Sequence, residues 1–94
     1  MGLAFKWDAK KAAANLQKHG VSFEEATSAF GDPLSLTICD PQHSGDEERY
    51  VLVGLMERHR LVVVAHTEEA DTVHIINARP ATPTERRDYE EGQA

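Results

Sequence analysis

Cysteine is almost missing from this chain of 94 residues. Cys39 stands alone, so no internal disulfide can close and no cysteine-based metal site can be built; in its alternating apolar stretch it is expected to be a small core residue. Long apolar runs are missing too. The longest, Leu61–Ala65, is strand-length, far short of the roughly 20 residues a membrane helix needs. Met1–Trp7 lacks the basic start, apolar centre and small-residue cleavage site of a secretory signal, so a cytosolic location is expected. Positive charge is scarce: 10 Lys and Arg stand against 16 Asp and Glu, a net charge of −6. That balance argues against tight, unspecific nucleic-acid binding, which rests on cationic patches. The histidines are scattered with no ligand spacing, and Asp46-Glu47-Glu48 is too short for a calcium loop. There is no Gly-rich phosphate loop and no Ser-His-Asp signature, so neither metal nor cofactor is expected.

What is present reads as one small domain over 1–94, without repeat, low-complexity run or linker. The charge is uneven. Residues 1–20 carry four lysines against Asp8, +3, and the remainder carries six arginines against fifteen acids, −9. Asp8 is a good N-cap and Gly20 a good terminator for a first helix, with Ala9, Ala12, Ala13 and Leu16 at helical spacing. Ser22-Phe23-Glu24-Glu25 is a capping box opening a second helix that Gly31-Asp32-Pro33 stops near Phe30. The apolar period then drops to two. Strands are expected over Leu34–Cys39, Glu48–Met56, Leu61–His66 and Thr72–Arg79, the third apolar on both faces and therefore central. Thr82-Pro83-Thr84-Glu85 opens a last, highly charged helix with only Tyr89 to dock. The expected class is α+β: two N-terminal helices on one face of a four-stranded antiparallel meander, then a C-terminal helix.

Several stretches carry a resemblance that runs nearly the length of the chain. At the start are Phe5-Lys6-Trp7-Asp8, Lys11, Asn15, Lys18–Ala26, Phe30 and Asp32-Pro33; in the middle Asp40, His43, Glu48, Arg49 and Gly54. At the end are Ile75–Arg79, Ala81-Thr82, Glu85-Arg86-Arg87 and Tyr89-Glu90. In these the chain resembles the BrnT family of toxins, which share a RelE-like fold. It departs from the family at Glu69, His74, Asn77 and Pro80, where arginine, arginine, serine and a basic residue are usual.

The resemblance implies a toxin of a type II toxin–antitoxin pair that cuts mRNA without a metal, free or on the ribosome. It also implies a BrnA-like ribbon-helix-helix antitoxin through which alone operator DNA would be bound. A degenerate toxin fold kept as a binding module or co-repressor is the alternative. Such cleavage uses the ribose 2′-OH and needs a base, an acid and cations around the phosphate. Arg79 is the first candidate, as a phosphate clamp, unless it pairs with Glu85 or Asp88. Arg49 and Arg60, if neighbours across a hairpin, would give a second phosphate site. His66 and His74, as cross-strand neighbours, could serve as base and acid, or be two polar residues of an open sheet face. Glu48, beside His43 and Glu47, is a further candidate base. His19 is expected to serve the helix dipole, and Phe5 and Trp7 to anchor the N-terminal segment.

Overall fold

A computed structural model describes residues 3–40 and 48–92. In chain order they form β1 (Ala4–Lys6), α1 (Ala9–His19), α2 (Phe23–Thr27), a 3-10 turn (Ser28–Gly31), β2 (Leu36–Cys39), β3 (Arg49–Leu55), β4 (Leu61–Glu69), β5 (Thr72–Pro80) and α3 (Pro83–Glu91). The five strands make one mixed sheet in the order β1-β5-β4-β3-β2. The expected meander is there as β2 to β5, but it is not the whole sheet. A fifth strand, β1, pairs parallel to β5 through Ala4–Thr72, Phe5–Val73 and Lys6–His74. Three residues are too few to show a period, so only tertiary pairing makes this strand.

β4 lies in the middle, and Leu61 to Val64 are all buried. One sheet face packs under α1, α2 and the 3-10 turn. Leu52, Val62, Val64, Val73, Ile75 and Ala78 meet Val21, Phe23, Ala26 and Ala29 there, with Phe5, Trp7 and Phe30 around the margin. Trp7 meets Phe23 edge-on at 5.9 Å, which anchors the N-terminal segment. Gly54 permits the close approach of the 3-10 turn to β3, because a Cβ there would lie 2.9 Å from the Ala29 carbonyl oxygen.

The caps follow the sequence. Asp8 accepts from the amides of Lys10 and Lys11, and Gly20 closes α1 at φ 70°. Ser22 accepts from the Glu25 amide, and Thr82 with Glu85 forms a complete capping box. The apolar pattern of α1 misleads, however. Its buried residue is Asn15, while Leu16 is about half exposed. The apolar pattern over 34–39 misleads as well: Leu34, ahead of β2, and Ile38 are exposed, and Cys39 is exposed rather than a core residue, because β2 is an edge strand. β4 and β5 run further than expected, leaving a two-residue turn in which Ala70 takes φ 54°. No helix among the described residues is long and apolar enough to cross a membrane.

Candidate functional site

Side chains alternate along a strand, so register decides which ones share a face. The face away from the core helices carries Arg49 opposite Thr67 and Thr67 opposite His74. His74 in turn stands opposite Lys6. Four strands therefore contribute one transverse row, Arg49–Thr67–His74–Lys6. Neighbours in such a row are about 5 Å apart at Cβ, so Arg49 and Lys6 bracket a span of roughly 15 Å. Lys6 and His74 are exposed, and Arg49 and Thr67 half-buried. A second row, Val51–Ala65–Asn77, lies beside it, and a third, Val53–Val63–Arg79, lies beyond. The far end of the face lies under α3, where Leu61 and Val63 are buried and Gly92 approaches the Leu36 side chain.

The sequence candidates distribute unevenly over this frame. His74 and Arg49 share the row, joined there by Lys6 and Thr67, which no sequence pattern marks as site residues. His66 is not a partner of His74. The turn at Ala70–Asp71 pairs Glu69 with Thr72, which sets His66 opposite Ile75 and sends its ring to the helix face. There it is fully buried. Its ring stacks on Tyr50 at 5.8 Å and meets Phe30 edge-on at 4.9 Å, and its Nε2 lies 2.9 Å from Glu68 Oε2. With no exposure to solvent, His66 is positioned to hold aromatic rings together rather than to meet a substrate. Glu48 belongs to the same corner, accepting from the Tyr50 hydroxyl at 2.9 Å. That bond, first among its causes, raises the Tyr50 pKa.

Arg49 and Arg60 are not neighbours. Arg49 opens β3, Arg60 directly precedes β4, and the strands are antiparallel, so they sit at opposite ends of the hairpin, about 20 Å apart. Arg60 instead donates to the Gly20 carbonyl at 3.2 Å, closing the end of α1. Arg79 is engaged by Glu85: Nη1 donates to Oε1 and Nη2 to Oε2, both at 2.7 Å. This forked bond from Arg79 is the main reason the Glu85 carboxyl falls to about 2, and it raises the Arg79 pKa. In this arrangement Arg79 ties α3 to β5 and is not an open phosphate clamp. His43 and Glu47 lie outside the described residues. His19 sits in the last turn of α1, as expected.

At its other end α3 is held by Tyr89, whose hydroxyl donates to Asp32 Oδ2 at 2.6 Å. Asp32 also accepts from the amides of Leu34 and Leu55. Burial alone would raise the Asp32 carboxyl, but these hydrogen bonds together hold it below its ordinary value. The bond to Asp32 in turn pushes Tyr89 up to about 12.

The open row can do limited, specific chemistry. Arg49 and Lys6 offer cationic heads for phosphate oxygens, Thr67 offers a hydroxyl, and His74 offers an imidazole with two ring nitrogens for hydrogen bonds. Glu69 sits on the same face one step further along β4, so a carboxylate stands beside the cations. Among the described residues no cluster of three or more His, Cys, Asp or Glu side chains is arranged to hold a metal.

The family model described as the ribonuclease toxin, BrnT, of type II toxin–antitoxin systems matches residues 7–85. Among solved structures, the Brucella abortus ribonuclease toxin, BrnT, at 1.1 Å resolution, has a similar fold. Its TM-score is 0.57 at 21% identity over 85% of this chain and 97% of that one. No curated protein sequence matches the chain.

Proposed function

We propose that this chain, which belongs to the BrnT family of ribonuclease toxins of type II toxin–antitoxin systems, is a cytoplasmic endoribonuclease that cuts mRNA through its open sheet face. Family membership makes it a toxin with an antitoxin partner. The finer reading rests on one observation, the transverse row Arg49–Thr67–His74–Lys6. In the proposed reaction the ribose 2′-oxygen attacks the adjacent phosphorus as its proton passes to a ring nitrogen of His74. The bond from phosphorus to the 5′-oxygen breaks, and that oxygen takes up a proton from water. The products are a 2′,3′-cyclic phosphate and a 5′-hydroxyl. Arg49 and Lys6 offset the charge that builds on the non-bridging oxygens. No step calls for a metal.

The antitoxin is expected to be a ribbon-helix-helix protein of the BrnA type, and the pair to reach operator DNA through it. Leu34 and Ile38, 51% and 64% exposed, are apolar side chains that such a partner could cover. A second reading, a binding module with little nuclease activity, has its own support: Glu69 beside the row and Arg79 closed onto Glu85.

Incubating the purified chain with an mRNA fragment in the presence of a chelator decides between them. The nuclease reading expects cyclic-phosphate and 5′-hydroxyl ends, with Arg49→Ala and His74→Ala each slowing cleavage by about 10²-fold or more. Intact RNA beside a folded protein that still binds its antitoxin establishes the binding module instead.

A further inference from the structure

We propose that the groove between α1 and β5 is a second site, one that grips the phosphate backbone of single-stranded RNA outside the reactive row. The proposal rests on the nuclease reading for its choice of RNA, but not for its geometry. β1 covers β5 only along Thr72–His74, so from Ile75 onward the outer edge of β5 has no strand beside it. α1 takes that place. Asn15 bonds the edge at Ala78, with its Nδ2 donating to the carbonyl at 2.8 Å and its Oδ1 accepting from the amide at 3.1 Å. Beside this seam is a groove of about 310 Å³.

Its walls are basic. Lys11 and Lys18 are seven residues apart, two helical turns, so they fall on one face of α1 with Ala14 and Asn15 between them. Asn77 and Arg79 line the strand side, and His19 closes one end. No aspartate or glutamate lines the groove, in a chain of net charge −6. The two lysine backbones stand about 10 Å apart along the helix, a spacing that suits an extended polyanion better than a single ion. Ala14 and Ile76 give the groove an apolar floor for a ribose or base, and the Asn77 amide can both donate and accept. A purely acidic chain such as polyglutamate has neither a ribose nor a base to lay on that floor. A phosphate arriving here would also compete with Glu85 for Arg79.

The test uses the full chain and a labelled 2′-O-methyl oligoribonucleotide, which has no 2′-hydroxyl to react and so reports binding whether or not the protein is a nuclease. Each phosphate contact on a single strand contributes a slope of about −0.7 to the logarithm of affinity against salt. The lysine double variant K11Q/K18Q is therefore expected to lose about 1.4 from that slope, and about tenfold in affinity at low salt. Lys10→Gln changes the helix charge outside the groove and is expected to shift affinity less than twofold; K11R/K18R is expected to retain binding. Lys11 and Lys18 are exposed, so folding, checked by circular dichroism, should survive. An unchanged salt slope in K11Q/K18Q overturns the proposal. So does absence of binding, or displacement by polyglutamate as readily as by unlabelled oligonucleotide. Lysine-dependent binding without cleavage of ordinary RNA would leave this site standing and remove the nuclease; cleavage with lysine-independent binding would do the reverse.

Discussion

A buried side-chain amide joins α1 to the sheet. Asn15 is 7% exposed and makes three hydrogen bonds: Nδ2 to the carbonyls of Val21 and Ala78, and Oδ1 from the Ala78 amide. It presents to β5 the donor and acceptor that a neighbouring strand would. Asn15→Ala would leave those backbone groups unpaired in a dry environment. We expect a loss of about 2–4 kcal/mol, read as a lower urea midpoint with an unchanged slope. A helical hydrophobic pattern cannot show such a residue, since it scores as a polar break and its main partner lies 63 positions away. Gly54 is different, because its neighbour on the fold is backbone. A Cβ at 2.9 Å from the Ala29 oxygen cannot be relieved by turning a side chain. Gly54→Ala is expected to cost about 1–3 kcal/mol by the same measurement.

At the scale of an element, α3 is the informative case. Its start was legible, because a threonine cap, a proline and a glutamate at N3 state a helix N-terminus in local terms. Its docking was not. None of its residues is buried, so no apolar stripe says where it lies. Two polar clasps hold it, Arg79–Glu85 at one end and Tyr89–Asp32 at the other, and the partners come from β5 and the segment after the 3-10 turn. A nine-residue helix is marginal once undocked, so helicity reports docking. Glu85 drops from 4.5 to about 2, chiefly through Arg79. Its contribution is therefore complete above pH 4.5 and lost as pH falls towards 2. Tyr89 rises from 10 to about 12, so its contribution is complete below pH 10 and lost as pH climbs towards 12. Far-UV circular dichroism should show helix lost in both windows. Glu85→Gln should weaken the acid transition, leaving the part that belongs to Asp32, whose carboxyl is also held low, and Tyr89→Phe should remove the alkaline one. A single transition abolished by either change would mean that α3 is held some other way.

Over the whole molecule, what matters is how few cations are arranged among many acids. That arrangement hinges on register, and register hinges on one turn. Because Ala70–Asp71 is a two-residue turn, position 67 rather than 66 meets 74, and the expected histidine pair becomes a row with a single histidine. The strand pattern alone could not fix the turn length, nor reveal that three N-terminal residues add Lys6 to the far side of β5. Charge in that row is then open to experiment. Glu69→Arg changes the local charge by two units roughly 7 Å from the row, worth about 1 kcal/mol in a water-like dielectric, or about fivefold in RNA affinity. His74→Arg separates binding from chemistry. It installs a permanent cation beside Lys6 and Thr67 while removing the imidazole that would accept the 2′-hydroxyl proton. RNA should bind more tightly, with KM falling, while kcat drops by about 10²-fold or more and its pH profile changes. If His74→Arg cleaves as fast as the parent with the same pH profile, the proton acceptor lies elsewhere and the row serves only to hold phosphate.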